Sequence, residues 1–269
     1  METQSRLSSV GECFHLRLGE AHNMSRNAVI VEFVGLPGAG KSTLALRTAE
    51  ILCQRGMRVS LPSKSVFTED RRYIGKVRKS AYYVRFALSN LRYSLLSARA
   101  ILSSRQTSRE DLLWVLLTWF KRSARIQQQR HLGGVHVIDS GIFQGLWSIG
   151  FSGKNPNLVE LGERVLAWLP IPNLLVVVES SLSTIERRLA KRPGSGSRLE
   201  RWPPGDPGLL LRAAARLGQV KETARLISRK REDMRIFMID NDRDDAFETN
   251  AIRISEAAWE IVHSQGELG

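Results

Sequence analysis

Two cysteines in 269 residues, Cys13 and Cys53, are too few for a disulfide framework and lack the spacing of a metal site. A reducing, cytoplasmic setting is the expectation. The five histidines are scattered and suggest no metal cluster. The longest apolar run, Leu112 to Phe120, falls well short of the roughly 20 residues a transmembrane helix needs. The N-terminus lacks the charged-then-apolar order of a signal peptide. Acids are also in short supply: 27 Asp and Glu stand against 40 Lys and Arg, leaving a net charge of +13. That excess favours polyanionic partners, whether nucleotides, nucleic acid or an acidic lipid surface, without choosing among them.

What is present is organised around Gly35-Leu36-Pro37-Gly38-Ala39-Gly40-Lys41-Ser42-Thr43, which follows a mostly apolar run from Ala28 to Val34. The spacing predicts a strand, a phosphate-cradling loop and a helix. Glycines let backbone N–H groups turn inward around phosphate oxygens, and the helix adds the positive end of its dipole. Gly35, Pro37, Gly38, Ala39, Gly40, Lys41, Ser42 and Thr43 are the candidate nucleotide-binding residues. Lys41 would reach the β- and γ-phosphates, and the Ser42 hydroxyl would ligate Mg²⁺.

Residues 1–26 read as a poorly ordered lead-in, and Met24 offers an alternative start just before the first strand. Residues 27–269 read as a single domain. Apolar positions predict a helix from Ser42 to Gln54 stopped by Gly56, then a short strand at Met57–Leu61, together a βαβ start.

A helical insertion is expected at about 70–130. Ile74, Val77, Ala81, Val84, Leu88, Leu91, Leu95, Ala98 and Leu102 alternate spacings of three and four, the seam of one continuous helix. Arg71, Arg78, Arg85, Arg92 and Arg99 recur every seven residues beside it, and from Arg71 through Arg109 there are ten Lys or Arg residues and no acid. The row reads as a solvated face, an acidic-ligand site near one end, or a nucleic-acid or membrane contact. Ser108 to Asp111 forms a capping box for a second helix with a buried start at Leu112–Phe120 and a solvated end at Lys121, Arg122 and Arg125. The seam can pair with this helix or with another subunit in a homodimer; the helix adjacent in sequence is the expected partner, giving an antiparallel hairpin.

Val135 to Ile138 is an apolar strand ending in Asp139, the position from which an acid orients Mg²⁺ or takes a proton from an attacking hydroxyl. Phe143, Gln144 and Trp147, just beyond, are candidates to shape an acceptor pocket. Pro156 opens a helix through Trp168, Leu174–Glu179 is a strand covered on both faces, and Ser183 caps the next helix. Arg188 and Arg192 lead from that helix into a Gly/Ser-rich stretch containing Arg198. Guanidinium forks there suit a closing lid at about 192–207. A helix from about Leu209 to Arg231, a strand at Arg235–Ile239 and a helix from about Ala246 to Val262 complete the chain.

This order of parts resembles the thymidylate kinase branch of the P-loop nucleoside and nucleotide kinases. Arg188-Leu189-Ala190-Lys191-Arg192 and Ser197-Arg198-Leu199-Glu200 stand where that family has its Arg-Leu-x-x-Arg helix and lid. The resemblance implies an α/β, three-layer P-loop fold with a five-stranded parallel sheet, ATP with Mg²⁺ as phosphoryl donor, and Lys41, Asp139, Arg188, Arg192 and Arg198 as the catalytic set. The chain departs from the family at Pro37, where an acid is usual, at Ser140, where an arginine follows the acid, and at Ser197, where the lid has Asp. The donor half of the likeness is thus closer than the acceptor half.

The leading expectation is an ATP-dependent phosphotransferase acting on a nucleotide, nucleoside or other small hydroxyl compound. The alternative is a nucleotide-dependent switch whose basic hairpin binds nucleic acid or membrane. A kinase of polynucleotide 5′ ends would combine both features.

Overall fold

In the computed structural model, residues 28–61, 82–154, 156–191 and 207–266 are described. The lead-in, the start of the insertion and the lid with Arg192 and Arg198 lie outside them. The elements in chain order are β1 (Ala28–Gly35), α1 (Lys41–Gln54), β2 (Val59–Ser60), α2 (82–89), α3 (Leu91–Ser103), α4 (Arg109–Arg130) and β3 (Gly134–Ile138). They continue with α5 (Ile142–Ser152), α6 (Leu158–Leu166), β4 (Leu174–Glu179), α7 (Leu182–Ala190), α8 (Pro207–Lys230), β5 (Arg235–Asp240) and α9 (Ala246–Gly266).

The five strands form one sheet in the order β2-β3-β1-β4-β5, and every pairing is parallel. Strands this apolar on successive positions can only be covered on both faces. Along β1, Ile30 and Val34 join the core under α4, α5, α6 and α8, while Val29, Val31 and Phe33 join the core under α1 and α9. Helices therefore lie on both faces of the sheet. Because the strands are parallel, Gly35, Ser60, Asp139, Glu179 and Asn241 stand at or just beyond one edge, the carboxyl edge where open α/β sheets bind ligands. The opposite edge is tied by Asn173, whose side chain accepts from Ile30 N at 3.0 Å and whose backbone N–H donates to Ile30 O at 2.9 Å.

The hairpin forms, but not by the face its periodicity predicts. Asn90 interrupts the expected continuous helix, its side chain bonding back to Phe86 O at 2.9 Å. An Asn that satisfies backbone locally competes with the helical ladder. The seam residues Val84, Leu88, Leu91, Leu95 and Leu102 are exposed. Phe86, Tyr93, Ser97 and Ile101 are buried instead. Tyr93 Oη and Ser123 Oγ share a hydrogen bond of 2.5 Å, the Tyr93 and Phe120 rings meet edge to face at 6.4 Å, and Tyr82 Oη donates to Ala124 O at 3.2 Å. Aromatic side chains bury more area than leucine or valine and here their hydroxyls keep partners, so this face wins the contact with α4.

The second helix is amphipathic along its whole length: Val115 and Trp119 near its start are buried while Leu113, Trp114 and Leu117 are exposed, and the end expected to be solvated buries Ser123, Ala124, Ile126 and Gln129. Its Ser108 cap is as expected, accepting from Asp111 N at 3.0 Å. Two smaller corrections concern β2, reduced to Val59–Ser60, and α7, capped by Ser181 through Thr184 N rather than by Ser183. Among the described residues no helix is long and apolar enough to cross a membrane.

Candidate active site

The loop from β1 to α1 turns through Ala39 N donating to Leu36 O at 3.1 Å. Gly38 and Gly40 have φ of 88° and 92°, a left-handed conformation that residues with a Cβ rarely adopt. Gly40 is also where α1 begins, and a Cβ there would run into the Asn241 side chain. Asn241 closes the arrangement from beyond β5, its amide donating to Ala39 O at 2.8 Å. The loop is therefore held from outside while its glycines set the backbone.

Lys41 folds over this loop, its Nζ donating to Gly35 O at 2.9 Å and Leu36 O at 2.8 Å. Its stem leaves the first residue of α1, so the ammonium and the helix N-terminus bring positive charge to one place. Ser42 and Thr43 are exposed beside it. The Ser42 hydroxyl donates to Asp139 Oδ2 at 2.9 Å, joining the loop to the tip of β3 across the sheet edge. This is a P-loop α/β fold.

A buried polar network lies beneath that junction. Glu32, on the same face of β1 as Ile30 and Val34, accepts from Phe143 N at 2.7 Å and Gln144 N at 3.2 Å through Oε1, at the first turn of α5. Its Oε2 is buried without a hydrogen-bond partner. Burial pushes its carboxyl up to about 7, against the opposing pull of those N–H groups and of the Arg122 guanidinium. Gln144 in turn accepts from Gly35 N at 3.2 Å, linking α5 to the start of the phosphate loop. Arg122 of α4 donates to Ser140 Oγ at 3.1 Å and feels the charges of both Glu32 and Asp139. Burial lowers its pKa to about 10, which leaves the guanidinium charged at neutral pH.

Lys41, Ser42, Thr43 and Asp139 are thus brought together as the motifs require. Arg188 sits elsewhere: it pairs with Asp244 at 2.9 Å, donates to Asn241 O at 2.9 Å and reaches Ser180 Oγ at 3.4 Å, pinning the segments beyond β4 and β5. Its hydrogen bond to Asn241 O links it indirectly to the phosphate loop. Phe143 and Trp147 are core residues rather than pocket walls; Trp147 stacks on Phe151 at 4.9 Å and donates to Ala213 O at 3.0 Å. A helix packed on a sheet buries its first apolar turn before it can offer that turn to a ligand.

Glu32, Arg122 and Asn241 were missed by sequence reasoning. Glu32 did carry a signal, a lone acid inside an apolar strand. Arg122 falls in a basic stretch that suggests a solvated helix end, and nothing in the motif points to Asn241.

The donor set fits Mg²⁺ bound with a nucleotide: one hydroxyl and one carboxylate, leaving phosphate oxygens and water to complete the shell. Among the described residues no group of three His, Cys, Asp or Glu side chains forms a protein-only metal cage.

No family model and no curated protein matches the chain. Solved structures similar to it include thymidylate kinase from Candida albicans, 20% identical over 90% of this chain and 93% of that one, with a TM-score of 0.45. Thymidylate kinase from Ehrlichia chaffeensis is 13% identical over 86% of this chain and 98% of that one, TM-score 0.45. Deoxyadenosine kinase from M. mycoides is 16% identical over 86% of this chain and all of that one, TM-score 0.44. Strand order and loop geometry, not these likenesses, establish the fold.

Proposed function

We propose that this chain is an ATP-dependent phosphotransferase. The observation that carries the reading is the Ser42 to Asp139 hydrogen bond at the mouth of a loop that also holds Lys41 and two left-handed glycines. Backbone N–H groups of Gly38 to Thr43 would hold the β- and γ-phosphates, and Lys41 would exchange its carbonyl partners for phosphate oxygens. Ser42 and Asp139 would hold Mg²⁺, which when bound neutralises charge on the transferring group.

On the acceptor side, Asp139 would help hold the metal or take the proton of the attacking hydroxyl. Arg122 supplies a fixed positive charge beside it, which no arginine adjacent to Asp139 in sequence provides. Arg192 and Arg198 remain candidates for a clamp on the transferring phosphoryl group, with Arg188 acting through Asn241 on the shape of the loop. The acceptor class is a nucleoside, a nucleoside monophosphate or another small hydroxyl compound.

The test is ADP formation from ATP-Mg²⁺ against a panel of nucleosides, nucleoside monophosphates and short oligonucleotides, with Lys41→Ala as the blank. Stimulation by one small acceptor, lost in Lys41→Ala, is the expected result. Stimulation by oligonucleotides alone would move the acceptor to a polynucleotide end, and undiminished activity in Lys41→Ala would remove the assignment.

A further inference from the structure

Five apolar side chains on α2 and α3 have no use in the fold. Val84, Leu88, Leu91, Leu95 and Leu102 are 55–69% exposed. Within each helix the spacing puts them on one face: Val84 and Leu88 on α2, and Leu91, Leu95 and Leu102 along about 17 Å of α3 at about 1.5 Å per residue. The next helix of the hairpin adds Leu113, Trp114 and Leu117, also exposed, with the exposed Glu110 one turn before Leu113 and Trp114. Arg85 and Arg99 stand beside the stripe, and Arg105 and Arg109 follow at the joint between the helices, all of them exposed. Arg92 is different, its guanidinium lying over the Trp168 ring at 4.2 Å. No acid occurs anywhere from Arg71 through Arg109.

We infer that this face docks on an anionic lipid bilayer. Leucines interleaved with arginines are the pattern of a helix lying in the plane of a membrane surface: the aliphatic stripe enters the boundary between head groups and acyl chains, and the guanidinium groups meet lipid phosphates. The charge pattern decides against the other occupants. Pairing the α2–α3 face with a second copy of itself would set its arginines together with no acid on either helix. A nucleic-acid backbone would use the arginines, but on the described part of this face Trp114 alone offers an exposed ring for a base to stack on, and the leucines would gain nothing. A bilayer is the surface that uses both features. The inference does not depend on the proposed phosphoryl transfer, since none of these residues borders the phosphate loop or Asp139.

The test is sedimentation of the full chain with phosphatidylcholine vesicles, with and without a substantial share of phosphatidylglycerol, at low and at physiological salt. Binding to the anionic vesicles that weakens with salt is expected, with little binding to the neutral ones. Leu88→Ser combined with Leu95→Ser should weaken it by about tenfold or more, because two partly inserted leucines are removed. Arg85→Gln combined with Arg99→Gln should weaken it about 30-fold, at about 1 kcal/mol per basic residue near an anionic surface. Both pairs are exposed, so thermal melting and nucleotide binding should match the parent and report that the fold is intact.

Absence of binding to anionic vesicles at low salt would overturn the inference. So would binding that ignores the leucine pair; competition by oligonucleotide in that case would identify a nucleic-acid face. A concentration-dependent dimer dispersed by the leucine pair, without vesicle binding, would identify a second copy as the occupant.

Discussion

The hydroxyl of Ser42 donates to the carboxylate of Asp139 at 2.9 Å, and the two residues are 97 positions apart in sequence. One belongs to the first turn of α1 and the other directly follows β3, so the contact exists only because β3 lies directly beside β1 in the sheet. Replacing Asp139 by Asn keeps the shape and removes the charge. Turnover should fall by about 100-fold or more, with the Mg²⁺ requirement moved to higher concentration and the melting temperature little changed. Titration of activity against Mg²⁺ checks this; an unaltered Mg²⁺ profile would show that Asp139 does not serve the metal.

Arg122 reaches Ser140 from α4, inside the helical insertion. Arg122→Lys keeps a charge but loses the fork that bonds to Ser140. The acceptor KM should rise by about tenfold while the KM for ATP stays put, as steady-state kinetics with each substrate varied in turn will report. A matching rise in both would mean that the residue supports the site only through the fold.

Asn241 holds the phosphate loop at Ala39 O and packs against Gly40. Asn241→Ala removes the donor and leaves a carbonyl oxygen without that partner, a loss of about 1–2 kcal/mol. Weaker ATP binding by about tenfold, measured by calorimetry, is expected, with the rate at saturating ATP less affected.

Glu32 makes stability depend on pH. Burial raises its folded-state value to about 7 from an ordinary 4.5, so the native state binds this proton more tightly than the unfolded chain does. Its contribution is complete below pH 4.5 and is lost as pH rises through about 7. The loss is on the order of 3 kcal/mol at about 1.4 kcal/mol per unit. Gln keeps an acceptor for Phe143 N and Gln144 N and cannot ionise. Urea unfolding at pH 5 and pH 8 should show Glu32→Gln gaining on the parent at the higher pH. An equal difference at both pH values would mean that Glu32 does not titrate in this range.

The phosphate loop, β3 and β4 were legible in the sequence because their chemistry is local. Glycines at Gly38 and Gly40 announce a left-handed backbone, and the apolar run Leu174–Val178 announces a strand covered on both faces. The insertion was legible as helices but not in its orientation. Periodicity finds apolar positions without weighing their volume, and on α2 and α3 the stripe of Val84 to Leu102 lost the interior to Phe86, Tyr93 and Ile101. Arg122 was hidden for a related reason. Which face of α4 turns inward depends on its partners Tyr82 and Tyr93, each far from it in sequence. Asn241 depends on β5 ending beside the loop it supports, a consequence of strand order rather than of any motif.

The most direct measurement of the central claim follows a labelled γ-phosphate from ATP-Mg²⁺ into product, with the best acceptor of the panel and with parent, Lys41→Ala and Asp139→Asn proteins side by side. Label should appear on the acceptor with the parent and be nearly absent with both variants, while all three proteins melt alike. Label found only as inorganic phosphate, or on the acceptor to the same extent in all three, would contradict a phosphotransferase built on Lys41, Ser42 and Asp139.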